Sequence, residues 1–179
     1  MNTKIKITAL ITCVLLLSIP NMLWGQETPK LNDAEIASVA VVANQIDIDY
    51  AKLAIKRSKN QEVIDFAKRM MEDHNAVIKQ AVALVTKLGV TPKDNGVSQS
   101  LLKQSKESLK KLKKAKKKDF DKTYIDNEVA YHKAVIDAVN GLLIPQAKNA
   151  ELKSLLEAVV PALEVHLGHA KMAQSKISK

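Results

Sequence analysis

The sequence predicts an all-α protein, an antiparallel four-helix bundle with an additional lysine-rich peripheral helix. Three observations predict it. The chain has 5 glycines and 5 prolines in 179 residues and is rich in Ala, Leu, Val and Lys, a composition suited to helices. Its apolar residues recur at alternating spacings of three and four over long stretches. Those stretches are separated by stop and turn signals at Gly89, Pro92, Asn95-Gly96 and Pro145.

Residues 1–25 read as a cleaved signal peptide. Lys4 and Lys6 precede an apolar run of 13 residues from Ile7 to Ile19, which Pro20 and Asn21 end. That run is too short to span a bilayer comfortably. Cleavage near Gly25–Gln26 is expected, with an uncleaved anchor as the alternative. The only cysteine (Cys13) and the only tryptophan (Trp24) lie in this segment, so the mature chain has no thiol chemistry. Residues 26–31 form a short N-terminal tether, and residues 32–179 a single helical-bundle domain. The expected location is periplasmic or secreted, with outer-membrane association as a further option. No transmembrane segment is expected in the mature chain.

The elements follow in order. Helix one starts at an Asn32 or Asp33 cap and runs to about Ser58, with Ile36, Val39, Ala40, Ala43, Ile46, Tyr50, Leu53 and Ala54 on its apolar face. Asp47 falls inside that arc. Helix two runs from about Asn60 to Leu88 on the seam Val63, Ala67, Met70, His74, Val77, Ala81, Leu84 and Leu88, with Gly89 beyond its end. Ser98 is expected to cap helix three, which reaches about Lys117 on a thin stripe of Leu102, Leu109 and Leu112. Asp119 is expected to cap helix four, whose seam is Ile125, Glu128, His132, Val135, Val139 and Leu142. Gly141 and Pro145 should close it near Leu143. Helix five runs from about Asn149 to Ser175 on Leu152, Leu156, Val159, Leu163, His166, Ala170 and Ala173, with a kink expected at Pro161.

The functional signal is polar residues on apolar seams. Helices one, two, four and five are each about 40 Å long at 1.5 Å per residue. Asp47, His74 and His132 lie near their midpoints, and His166 lies about one helical turn from its own. Glu128 sits one turn before His132. Burying such groups is costly without partners, so their coincidence at one level marks a shared site. Imidazoles with carboxylates suit a transition metal. The alternative is a hydrogen-bonded polar core that only fixes packing. His169, three residues beyond His166, is a further candidate ligand.

Charge is localised. Without Lys4 and Lys6 the chain carries 26 basic and 19 acidic residues, a net +7. Residues 101–118 alone hold Lys103, Lys106, Lys110, Lys111, Lys113, Lys114, Lys116, Lys117 and Lys118 against Glu107, a net +8. Such a run attracts anionic surfaces, here lipid headgroups or lipopolysaccharide. The bland reading is a solvated face. Nucleic acid is not expected, because export argues against it and residues 97–118 contain no aromatic and no arginine.

Several of these residues carry a resemblance. Phe66-Ala67…Met70…Asp73-His74, Phe120-Asp121…Tyr124…His132 and Val160-Pro161…His166-Leu167…Ala170 resemble the signature segments of the domain of unknown function 4142 family. The resemblance implies a ferritin-like four-helix fold and export, and it supplies no reaction. A di-iron centre is disfavoured. Such sites use Glu-x-x-His, and the residues three before His74, His132 and His166 are Met71, Val129 and Leu163. The two functions left in competition are a metal-binding envelope protein and a non-enzymatic binder of anionic surfaces. No nucleophile or phosphate-binding loop points to an enzyme.

Overall fold

The computed structural model describes residues 28–177. Residues 1–25, for which a signal peptide is expected, therefore lie outside the described residues. Helices α1 (Asp33–Arg57), α2 (Gln61–Lys87), α3 (Gly96–Lys114) and α4 (Phe120–Ala138) follow in order. A π-helical turn, Val139–Leu143, and a short helix α5, Ile144–Gln146, lead to α6, Ala150–Ile177. No strand occurs among the described residues. None of these helices is long and apolar enough to cross a membrane.

Local chemistry sets the boundaries. At the start of α1 the Asn32 side chain accepts from the Glu35 amide, and the Glu35 carboxylate accepts from the Asn32 amide, satisfying two donors that the helix cannot. Asn60 caps α2 in the simpler way. Gly89 ends that helix at φ +63°, a left-handed conformation that suits glycine. Asn149 accepts from the amides of Glu151 and Leu152 at the start of α6. The Asp33 carboxylate accepts from the amides of Lys148 and Asn149, which ties that loop to α1.

Three boundaries differ from expectation. Helix α3 is capped by Asn95, and Ser98 is instead the reciprocal partner of the capping box. Asp119 makes no side-chain cap bond to α4. Helix α4 does not close at Pro145; the chain passes through the π turn, and Pro145 sits in the first turn of α5, where its missing amide costs nothing. The π turn advances the seam by four residues from Val139, so buried Leu143 takes the place expected for Leu142. Helix α6 continues through Pro161.

Helices α1 and α2 pack as one close pair, and α4 and α6 as the other. Helix α3 carries the chain between them along the outer side of α1 and also touches α4. Its buried stripe is Ser98, Ser105 and Leu112, with Leu101 and Leu109 partly covered. Leu102, expected on that stripe, is 40 % exposed. Arg57, at the end of α1, donates to the carbonyls of Leu112, Lys113 and Ala115. Its guanidinium also lies 4.5 Å over the Phe120 ring, which fastens the α3–α4 junction to α1.

The apolar core has two parts. One gathers Tyr50, Phe66, Met70, Phe120, Tyr124 and Ile125; the other gathers Ile36, Val39, Val139, Leu143, Leu156 and Leu163. Met70, a fully buried member of the first part, packs as a core side chain. The polar seam residues lie between the two parts. Leu112 is 1 % exposed, so Leu112→Ala is expected to cost about 2–5 kcal/mol. Leu102→Ala should cost no more than about 0.5 kcal/mol. Urea unfolding of the two variants, compared by midpoint at constant slope, checks this placement of the stripe.

Candidate metal centre

Each helix of the bundle brings polar groups to the same level. Asp47 comes from α1, His74 from α2, Glu128 and His132 from α4, and His166 from α6. Asp47 and Glu128 are fully buried, and the histidines are at most 5 % exposed. The imidazole centroids of His74, His132 and His166 lie 5.3–5.8 Å apart. The sequence-level offset of His166 from its helix midpoint does not separate it from the others.

The hydrogen bonds fix the tautomer of each ring. The Asn44 amide nitrogen donates to the Ala40 carbonyl, which leaves the Asn44 oxygen to accept from His74 Nδ1 at 2.7 Å. His132 Nδ1 donates to the Glu128 carbonyl at 3.0 Å. His166 Nε2 donates to Asp73 Oδ2 at 2.9 Å. A neutral imidazole has one donor and one acceptor nitrogen. The acceptors left over are therefore His74 Nε2, His132 Nε2 and His166 Nδ1. These three atoms are buried without a hydrogen-bond partner, as are both oxygens of Asp47 and of Glu128.

Asp47 Oδ2 lies 3.4 Å from His74 Nε2 and 3.5 Å from His132 Nε2. Lone pairs thus face lone pairs and a carboxylate. A proton on Asp47 answers only part of this, because one O–H serves one acceptor. A cation answers all of it. Bonds of about 2.0–2.1 Å in tetrahedral geometry put neighbouring ligand atoms about 3.3 Å apart, close to both observed separations. One ligand atom each from His74, His132 and His166 lies within 4.8 Å of the others, and the same holds for Asp47, Glu128 and His132. The residues fit a divalent ion held by imidazole nitrogen and carboxylate oxygen.

Electrostatics agree with the geometry. Desolvation pushes Asp47 up to about 8. Desolvation, with the Asp47 charge added, holds Glu128 well above the carboxylate range. Desolvation, followed by the neighbouring His132 and His166, lowers His74 to about 3. Desolvation also lowers His132 to about 4, against the opposing Glu128 carbonyl bond. His166 is lowered by burial as well, while Asp73 partly restores it. At neutral pH the rings are neutral, the form that binds metal.

Two supporting residues escaped the sequence reading. Asp73, beside His74, orients His166, and Asn44, one turn before Asp47, orients His74. Their only sequence signal is adjacency to a seam residue. Tyr131 joins them: its hydroxyl donates to the Ala43 carbonyl, and its ring meets Tyr50 edge-on. His169 is not brought into the cluster. It is partly exposed in a surface groove with Glu62, Asp65, Arg69 and Glu72. The nine lysines of residues 103–118 are all exposed. Among the described residues their one ion pair is Lys110 to Glu107 at 3.9 Å.

A pH dependence follows for the metal-free protein. A carboxyl raised on folding contributes stability that is full below its unfolded pKa, near 3.8 for Asp47, and is lost as pH rises through about 8. The lowered histidines act oppositely: their contribution is full above about 6.5 and is lost toward about 3–4. Between pH 6.5 and 8 the histidine contribution is nearly complete and the carboxyl groups dominate the change. Stability in chelator is therefore expected to fall across that interval, with a flatter slope in Asp47→Asn, as read from urea midpoints.

Among solved structures, the chain described as "CopM in the Cu(II)-bound form" superposes with a TM-score of 0.62 at 16% identity, over 82% of this chain and 98% of that one. This likeness is one of fold, a helical bundle. No curated protein matches. The family profile described as a domain of unknown function (DUF4142) matches residues 23–173, which span all the motif segments and every residue of the site. The chain belongs to the DUF4142 family.

Proposed function

We propose that this is an exported envelope protein whose bundle core binds one divalent transition-metal ion through His74, His132, His166 and Asp47. Glu128 stands beside them as a reserve ligand and proton carrier. The observation that carries this reading is that two tautomer-fixed acceptor nitrogens, His74 Nε2 and His132 Nε2, lie within 3.5 Å of a buried carboxylate, and that a third histidine, His166, whose acceptor nitrogen is also unpartnered, groups with both. A structural polar core would pair its donors with its acceptors; here the donors are turned outward, to Asn44, the Glu128 carbonyl and Asp73.

A bound ion would supply the positive charge that four facing acceptors lack. Nitrogen-rich sites with one carboxylate suit Zn(II) and Cu(II), of which Cu(II) binds more tightly to a given nitrogen and oxygen set. The copper of the structural neighbour makes Cu(II) the first ion to test beside Zn(II). Burial of every ligand favours holding or sequestering metal over turnover of a bulky substrate. The signal-peptide reading of residues 1–25 supports a periplasmic or secreted setting.

The test is titration of metal-free protein against a chromophoric chelator. His74→Ala and His132→Ala are each expected to lose at least about 100-fold in affinity. Asp73→Asn should weaken binding by about 10–100-fold, because it releases the orientation of His166. Undiminished affinity in the His74→Ala/His132→Ala double variant would sink the assignment.

A second reading attaches to α3. Its exposed lysines, of which Lys110 alone is ion-paired among the described residues, favour binding to anionic lipid or lipopolysaccharide. Co-sedimentation with phosphatidylglycerol vesicles is expected to vanish when Lys110, Lys111, Lys113 and Lys114 are changed to Glu, and to be indifferent to His74→Ala. Equal sedimentation of the charge-reversed protein contradicts it.

A further inference from the structure

Above the histidines the bundle is hollow. A cavity of about 190 Å³ begins at Asn44, Asp47, His74, His132 and His166 and extends to Ala37, Val85, Leu143 and Leu152. Those last residues lie at one end of the bundle, where α1 starts, α2 ends, the π turn closes and α6 begins. Small residues make the space. Ala40, Ala81 and Ala138 line it together with Leu143, Leu156 and Val159, and larger side chains at the alanine positions would fill it. A second hollow of about 110 Å³ shares Ala37, Val85 and Leu152, and Asp33 and Asn149 also line it. The two hollows together lead from the histidines toward the end of the bundle.

We propose that this cavity binds the alkyl chain of a medium-chain fatty acid, with the acid's carboxylate turned toward the metal centre. The size fits. An apolar protein cavity of about 150 Å³ takes up benzene, and this one is larger and elongated. From Asp47 to Ala37 along α1 is roughly 15 Å. An extended alkyl chain advances about 1.25 Å per carbon with C–C bonds near 1.5 Å, so about ten to twelve carbons span that length.

The inner end selects the head group. It carries three acceptor nitrogens and two carboxyl groups, so a bound cation is what would draw a carboxylate there. Three neutral imidazoles and one ionised Asp47 around a divalent ion leave a single positive charge. A monocarboxylate balances it. This proposal rests on the metal-binding reading, and it requires metal and acid to tighten each other's binding by the same factor.

The test is calorimetric titration of decanoic acid into the protein with and without one equivalent of Zn(II). The zinc-loaded protein is expected to bind decanoate one to one, at least tenfold more tightly than the metal-free protein. From hexanoate to decanoate, affinity should rise about fourfold per methylene, the equivalent of 0.8 kcal/mol. Ala81→Leu fills the cavity from α2, and Val159→Phe fills it from α6. Each should weaken decanoate binding at least tenfold while zinc affinity and helical content stay as in the parent, so a folding defect in one variant cannot mimic the result. Decanoate binding unchanged by both variants, or equal with and without zinc, overturns the proposal. Zinc binding with no decanoate response overturns the alkyl site alone. Failure of zinc itself to bind overturns the metal centre and the head-group assignment with it.

Discussion

The organising constraint is that three imidazole acceptors and a carboxyl group face one another in the middle of a helical core. His74 Nε2 and His132 Nε2 each lie within 3.5 Å of Asp47 Oδ2. Unpaired buried polar groups are among the most destabilising features a core can contain. Here the surrounding structure enforces the arrangement. Asn44, the Glu128 carbonyl and Asp73 each take the one N–H of a different ring. The rings cannot turn to pair among themselves without breaking those bonds.

The rest of the fold holds that layer in register. Two apolar clusters grip the helices on either side of it. The reciprocal cap at Asn32 and the Asp33 carboxylate fix one end of α1, and the Arg57 guanidinium fixes the other. Since α1 carries both Asn44 and Asp47, anchoring its ends holds a ligand and an orienting group together. Helix α3 covers the outer side of α1 with Ser98, Ser105 and Leu112 and turns its lysines to solvent. Its charge therefore sits on the surface of a helix whose inner side is structural.

Much of this is written in helical periodicity. Asp47, His74, Glu128, His132 and His166 interrupt apolar seams at helical spacing, which is enough to read them as buried and at one level. Periodicity is silent on residues just beside a seam, and for that reason Asn44 and Asp73 went unseen. It also assumes 3.6 residues per turn, which the π turn at Val139–Leu143 violates; Leu143 accordingly replaces Leu142 inside. On α3 the two adjacent leucines, Leu101 and Leu102, offered two nearly equivalent stripes. Serines at 98 and 105 disguised the true one, since small hydroxyl side chains pack closely against α1 but read as surface in a sequence. His169 shows the converse: it shares a helix side with His166, yet one turn further along it emerges into a surface groove.

The most direct test of the central claim is the metal content of the protein, purified without an affinity tag from its native cells and measured by mass spectrometry beside the His74→Ala/His132→Ala double variant. The account predicts close to one transition-metal ion per chain, lost in the variant. A metal-free protein that also fails to take up Zn, Cu, Fe or Mn on challenge, with the same stability as the parent in chelator, would contradict it and leave the histidines as core packing.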